Sequence, residues 1–100
     1  MLKHIVLFKL KDSAAGAGKD QNARKLKAGI EALVGKIPQI GKMEVGINTV
    51  PSDAAYDVAI YSEFSDKGAF EIYQKHPEHM KVVDFVKAVA AGRAVVDYTI

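Results

Sequence analysis

The chain has 100 residues, of which 49% are hydrophobic and 26% are charged, and its formal net charge is +2. A chain of this length buries about two thirds of the surface that it exposes when unfolded, so we expect a single domain over residues 1–100. The composition excludes an intrinsically disordered or collagen-like chain. Because the sequence has no cysteine, disulfides, thiolate metal sites and thiol nucleophiles are excluded, which fits a cytoplasmic location.

Membranes and nucleic acids are not expected as partners. Apolar runs such as residues 5–8 are far shorter than the roughly 18 residues that cross a bilayer. The lysines are scattered among acidic residues and form no patch with aromatic side chains, which argues against nucleic-acid binding. The N-terminal residues lack the cleavage site of a secretory signal, so we interpret them as part of the folded protein.

The first third of the chain predicts a strand followed by a helix. Residues 3–10 are apolar on both alternating faces, which is typical of a strand covered on both sides, and His4 lies on the even-numbered face. The stretch DSAAGAGKDQ, residues 12–21, is small, glycine-containing and polar and completes no phosphate-binding motif, so it predicts a mobile linker that leads into a helix. The helical spacing of apolar residues predicts an amphipathic helix over residues 19–34, capped by Gly35.

Two further strands and a short helix are predicted in the middle of the chain. Residues 43–47 alternate between apolar and polar, which indicates an edge strand with one solvated face. Residues 56–64 are apolar on both faces and predict a central strand. Asp66 is a favourable N-cap for a short helix on which Phe70 and Tyr73 share one face.

The last predicted elements are a helix and a terminal strand. Pro77 interrupts the second helix, which restarts there because proline is favoured at the first helical position. Gly92 is predicted to end this helix, and residues 93–100 form the fourth strand. The inward-facing stripe of the helix is predicted to contain His79, Val82, Val83, Val86, Val89 and Ala90.

The order β-α-β-β-α-β predicts a ferredoxin-like α+β fold with an antiparallel sheet in the order 4-1-3-2 and both helices on one face. The opposite face of the sheet would then expose apolar residues such as Ile5, Leu7, Ala59 and Tyr61. Soluble monomers rarely tolerate such a patch, so we predict a homodimer whose sheets pack face to face as a dimeric α/β barrel.

This topology brings polar residues together at one end of the layer between helices and sheet. The start of the first strand lies beside the end of the last, which pairs His4 with Asp97, and the second helix adds Tyr73, His76 and His79. An imidazole with a carboxylate behind it is a competent general base near pH 7. We therefore predict that Asp97 orients His79, whose pKa the helix N-terminus lowers.

The remaining residues of this cluster are assigned to ligand binding. Tyr73 is predicted to donate a hydrogen bond to a carbonyl oxygen that gains charge, and His4 to position the same ligand. Phe8, Phe70 and His76 are predicted to contact the ligand as well. Each of these residues also has a purely structural interpretation. In it the histidines are hydrogen-bonded within the protein and have no catalytic role, and His76 belongs to the start of the helix.

Metal and serine chemistry are not expected. The two histidines in residues 76–79 flank Pro77, so their rings need not share a helix face, and no metalloprotease motif is present. No serine stands in the setting of a catalytic nucleophile. We predict no metal and no other cofactor.

Three segments resemble one known family. LKHIVLFKLK at the start, YQKHPEH in the centre and VVDYTI at the end are together similar to the stress-responsive dimeric α/β-barrel (Dabb) family, across essentially the whole chain. The resemblance implies a dimeric barrel. It also implies a match at His4, Tyr73, His79 and Asp97 to a plant polyketide cyclase of that family, which closes a ring without a cofactor. Some family members hold magnesium after the first helix, but residues 36–40 contain no acidic ligand.

These observations lead to one main hypothesis and two alternatives. The main hypothesis is a homodimer that binds a small organic ligand between helices and sheet and acts on it by cofactor-free acid and base chemistry, as a cyclase, isomerase or lyase. The first alternative is a stress-protective oligomer without catalysis. The second is a cofactor-independent monooxygenase, which uses the same architecture.

Overall fold

A computed structural model describes all 100 residues of the chain. Its elements are β1 (Leu2–Leu10), β2 (Ser13–Ala14), β3 (Ala17–Gly18), α1 (Lys19–Glu31), β4 (Lys42–Ile47), β5 (Val58–Phe64), α2 (Lys67–Lys75), α3 (Pro77–Val89) and β6 (Ala90–Thr99). A short 3-10 helix, Ala32–Gly35, continues α1. None of these helices has both the length and the hydrophobicity needed to cross a bilayer.

The main sheet has four antiparallel strands in the order β4-β5-β1-β6. This confirms the predicted ferredoxin-like fold and its strand order. The even-numbered residues of β1 face the helices and are buried, as the two-faced pattern predicts. The predicted edge position of β4 and central position of β5 are also confirmed.

The prediction of a mobile linker in the stretch of residues 12–21 is wrong, because β2 and β3 form a short hairpin over residues 13–18. Its turn residues Ala15 and Gly16 have φ values of 51° and 75°, the left-handed geometry that a two-residue hairpin turn requires. The Asn22 side chain in α1 donates hydrogen bonds to carbonyl oxygens of the hairpin. A single buried amide of α1 therefore fastens the hairpin to the helix layer.

The second half of the helix layer is divided by His76. This residue is extended, with φ −64° and ψ 135°, because the residue before a proline avoids helical geometry. The prediction that Gly92 ends the last helix is wrong, because α3 ends at Val89 and β6 begins directly at Ala90. The amide of Lys11, directly after β1, donates to the Val89 carbonyl, so a tertiary contact satisfies the helix end and no glycine cap is needed.

Two hydrophobic clusters hold the helices to the sheet. The larger one joins β1, β5, α1 and α3, and the smaller one packs the aromatic residues of β5 and α2. In the smaller cluster the ring centroid of Phe64 lies 5.2 Å from Phe70 and 4.9 Å from Tyr73. Because Phe64 is fully buried, this packing fixes Tyr73 against the sheet.

Apolar residues also occupy the face of the sheet that points away from the helices. In the strand register Ile5 lies between Tyr61 and Val96, and Leu7 lies between Ala59 and Ala94. We call these six residues the outer face. Val96 retains 59% of its accessible surface, so much of this apolar face is uncovered in the single chain.

Candidate active site

His4 and Asp97 form the first part of the site. They are directly opposite each other in the β1–β6 register, as predicted, and both project to the helix side of the sheet. The Nδ1 atom of His4 is hydrogen-bonded to a carboxylate oxygen of Asp97. The hydroxyl of Ser62, which is fully buried on the other neighbouring strand, donates to the His4 carbonyl oxygen at 3.2 Å. His4 is thus fixed from both sides of its strand.

His79 has a different partner from the predicted one. Its Nδ1 lies 3.0 Å from the carbonyl oxygen of Gln74, in the last turn of α2. The prediction that Asp97 orients His79 is therefore wrong. The strand register gives the Asp97 carboxylate to His4, whereas the carbonyls at the end of a helix lack helical partners and Gln74 offers one of them to His79.

This contact sets the tautomer of His79. A carbonyl oxygen only accepts hydrogen bonds, so Nδ1 carries the hydrogen and Nε2 is left as an acceptor in the neutral ring. Burial lowers the pKa of His79, the hydrogen bond to Gln74 partly offsets this shift, and the nearby guanidinium of Arg93 lowers the pKa further. The predicted direction is therefore right, but burial and not the helix N-terminus is its main cause. The lowered pKa favours the neutral form of the ring.

Tyr73 contributes a hydroxyl that remains protonated. Its ring centroid lies 4.3 Å from that of His79, and burial raises the pKa of Tyr73 to about 12. The only fully enclosed side-chain polar atom without a partner is Oδ1 of Asn22. The Tyr73 hydroxyl and His4 Nε2 have no partner in the protein, so both must remain accessible.

These groups meet at a cavity of about 230 Å³ between the sheet and α3. His4, Tyr73 and His79 all line it, and Lys87 and Arg93 do so as well. Its apolar walls are formed by Val6, Phe8 and Ile60 of the sheet and by Val82, Val83 and Val86 of α3. The cavity combines apolar walls with a few converging polar groups, which is the usual composition of a small-molecule site.

Phe8, Phe70 and His76 are also predicted to contact the ligand, but only Phe8 lines the cavity. Phe70 instead packs against the ring of His4, with centroids 4.7 Å apart, so that it supports the imidazole from behind. His76 caps α3, because its Nδ1 accepts a hydrogen bond of 3.1 Å from the amide of Glu78. Phe70 and His76 therefore have structural roles in this chain.

Sequence reasoning missed four residues of the site. Ser62 and Gln74 act on the two imidazoles, the latter through its main chain, and Lys87 and Arg93 line the cavity. Arg93 could have been predicted from the strand pattern, because it lies four residues before Asp97 and hence on the same face of the strand. Gln74 acts through its main-chain carbonyl, which every residue type has, so its role could not be predicted from the sequence.

A second groove, of about 300 Å³, lies between α1 and α3. Three of its four charged residues pair with one another, since Glu78 lies 3.5 Å from Lys36 and 3.3 Å from Lys81. It contains no imidazole or phenol. No three His, Asp or Glu side chains of the structure are grouped as a metal site. Of these two cavities, only the first therefore brings imidazoles and a phenol together.

Comparison with known proteins identifies the family. A family model described as the stress responsive A/B barrel domain matches residues 2–100. An uncharacterised protein of Streptomyces coelicolor is 39% identical over 82 residues, which cover 79% of each chain. A dimeric protein of unknown function with a ferredoxin-like fold, from Bacteroides fragilis, is 37% identical with a TM-score of 0.85, over 99% of this chain and 95% of that one.

A more distant structure shares the fold. It is a hydroxynitrile lyase from Passiflora edulis, 19% identical with a TM-score of 0.80, over 99% of this chain and 92% of the lyase. At this identity the similarity shows the fold alone. The family match spans nearly the whole chain and agrees with the observed topology. The chain belongs to the stress responsive A/B barrel domain family.

Proposed function

We propose that this protein is a cofactor-independent enzyme that removes a proton from a carbon next to a carbonyl group in a small organic ligand. The observation that carries the proposal is the orientation of two imidazoles at one apolar cavity. Both Nδ1 atoms are held by acceptors of the protein, Asp97 for His4 and the Gln74 carbonyl for His79. Each ring therefore keeps the Nε2 lone pair for the ligand.

The partners of the two rings distinguish their roles. A base that takes up a proton becomes an imidazolium, and the Asp97 carboxylate beside His4 stabilises that charge. His79 has a carbonyl and not a carboxylate as its partner, and the nearby Arg93 opposes a positive charge on its ring. We therefore assign His4 as the general base, and His79 as a neutral acceptor that orients a hydroxyl of the ligand.

Tyr73 supplies the complementary acid group. Removal of the proton places negative charge on the carbonyl oxygen of the ligand, and a fixed hydrogen-bond donor stabilises that charge most in a dry site. With a pKa of about 12, the Tyr73 hydroxyl keeps its hydrogen at neutral pH. The resulting enolate leads to isomerisation, ring closure or a lyase-type cleavage. A lyase with this fold is known in Passiflora edulis.

We infer that the chain functions as a homodimer joined through the outer face. The outer face places Ile5 and Leu7 at its centre, with Val96 59% exposed beside them. An apolar sheet face of this kind is normally covered. The related protein of Bacteroides fragilis is described as dimeric. The cavity lies on the opposite, helix-covered side of the sheet, so dimer formation leaves it open.

Hydrogen exchange at carbon tests the proposed chemistry without knowledge of the natural substrate. Acetophenone has one ring and an acidic methyl group, and an apolar cavity of about 150 Å³ already admits benzene. We expect the wild-type protein to accelerate exchange of the methyl protons in D₂O, followed by NMR. His4→Gln should lower the rate by about 10² to 10⁴.

The matched control is His76→Asn. His76 lies outside the cavity and caps α3, and asparagine is an equally good N-cap, so this variant should exchange acetophenone at the wild-type rate. The proposal is contradicted if the wild-type protein is no faster than an equal concentration of free imidazole. It is also contradicted if His4→Gln retains the wild-type rate.

A further inference from the structure

The cavity carries positive charge at one end. Lys87 and Arg93 line it together with the imidazoles, and no aspartate or glutamate does. Arg93 lies on β6 opposite Phe8, and Lys87 lies in the last turn of α3. Both side chains are exposed, and because most of the other lining residues are apolar, their charge favours an anionic ligand.

Neither cation has a partner in the chain. No ion pair in the structure involves Arg93 or Lys87, and neither side chain forms a hydrogen bond with another residue. Lys87 also suits the negative end of the α3 dipole, so its position has a structural reason. Arg93 is exposed on the edge strand β6, so its guanidinium is free to bind a ligand. Its charge reaches the reacting end of the cavity, where it contributes to the lowered pKa of His79.

The strand register separates the two functions of the cavity. The pairs Phe8–Arg93 and His4–Asp97 are four residues apart on both strands, which corresponds to about 13 Å between their backbones. The arginine side chain spans part of this distance. A ligand that contacts both ends must therefore carry its anionic group and its reacting carbonyl on opposite sides of the molecule.

We propose that the ligand is a carboxylic acid with a single ring, whose carboxylate is bound by Arg93 with support from Lys87. The guanidinium group matches a carboxylate through two parallel hydrogen bonds, a geometry that an ammonium group does not offer. The volume of about 230 Å³ accommodates one ring with short substituents. This inference rests on the proposed function, because it assigns the reacting carbonyl to the end that holds His4.

Two ligands of equal shape test this assignment. 4-Acetylbenzoate carries a carboxylate opposite its acetyl group, and 4-acetylbenzamide is its uncharged counterpart. We expect the wild-type protein to bind the acid at least about tenfold more tightly than the amide, measured by NMR titration at fixed ionic strength. Arg93→Gln should reduce the ratio of the two dissociation constants to about one, and Lys87→Gln should reduce it partly.

The matched control is Arg24→Gln. Arg24 is exposed on α1 and does not line the cavity, so its replacement changes the net charge equally and should leave the preference for the acid intact. The inference is overturned if the wild-type protein does not prefer the acid, if neither ligand binds, or if Arg93→Gln keeps the preference. Exchange of acetophenone by the wild-type protein judges the proposed function separately, because acetophenone has no carboxylate.

Discussion

Asp97 contacts Nδ1 of His4 directly across the β1–β6 strand pair, and no other side chain competes for that ring nitrogen. The contact joins a buried imidazole to a carboxylate at the solvent-exposed edge of the sheet. Phe70 packs against the imidazole ring of His4, and the Ser62 hydroxyl donates a hydrogen bond to the His4 carbonyl oxygen. These contacts fix the imidazole of His4, which lines the cavity.

The contribution of Asp97 to catalysis is separable from its contribution to stability. Asparagine retains an oxygen that accepts the Nδ1 hydrogen but cannot stabilise an imidazolium. We therefore expect Asp97→Asn to slow acetophenone exchange at least about tenfold, with a change in the free energy of unfolding below about 1 kcal/mol. Urea unfolding and the exchange rate together measure the two effects.

A double-variant cycle shows whether the two residues act as a unit. If Asp97 works through His4, adding Asp97→Asn to His4→Gln should cause almost no further loss of exchange rate. Independent, multiplicative losses would mean that Asp97 acts on the ligand or on the fold by another route.

Removal of the Tyr73 hydroxyl should affect turnover and not folding. The hydroxyl has no hydrogen-bond partner in the protein, while the ring packs against Phe64. Tyr73→Phe keeps the ring, so the free energy of unfolding should change by less than about 0.5 kcal/mol. The exchange rate should fall by about 10² because the enolate oxygen loses its donor. An exchange rate equal to that of the wild type would remove Tyr73 from the mechanism.

The lowered pKa of His79 makes stability depend on pH. Below the ordinary histidine value of 6.5, the unfolded chain binds a proton at residue 79 that the folded chain does not yet bind. The free energy of unfolding therefore falls as the pH decreases from that value towards the lower pKa of the folded state. His79→Gln should show a smaller loss between about pH 7.5 and pH 5.5 in urea titrations. Equal losses in both proteins would contradict the burial of this imidazole.

The outer face is tested by a charge placed at its exposed edge. Val96→Glu puts a carboxylate into the proposed dimer contact and should give a monomer in light-scattering measurements, because an unpaired buried charge is strongly unfavourable. The control is Val34→Glu, since Val34 is 50% exposed on the 3-10 helix, away from the sheet. A Val96→Glu dimer as stable as the wild type would show that the outer face is not the contact.

The fold was predictable because its signals are local. The alternation of apolar residues in β1 and β5 indicates strands covered on both sides, and Pro77 marks the break between α2 and α3. The hairpin over residues 13–18 was missed because its register depends on Asn22, which approaches it from the next element. Gly92 was misassigned because a tertiary contact, and not a glycine, ends α3.

The site was only partly predictable, for a related reason. Strand register follows from topology, so the proximity of His4 and Asp97 could be inferred from sequence. The rotation of α3 about its axis could not, and it decides whether His79 faces a carboxylate or the Gln74 carbonyl. A main-chain carbonyl is present in every residue, so the sequence does not show which one accepts the hydrogen bond from a side chain. The prediction therefore found His4, Tyr73, His79 and Asp97, but it assigned Asp97 to the wrong imidazole.

The central claim is that both imidazoles present an unprotonated Nε2 to one cavity. Nitrogen-15 NMR of the histidine rings at about pH 7.5 measures this directly. We predict that His4 and His79 both carry their hydrogen on Nδ1, and that both Nε2 resonances shift when acetophenone is added. A hydrogen on Nε2 of His4, or rings that do not respond to the ligand, would contradict the proposed chemistry.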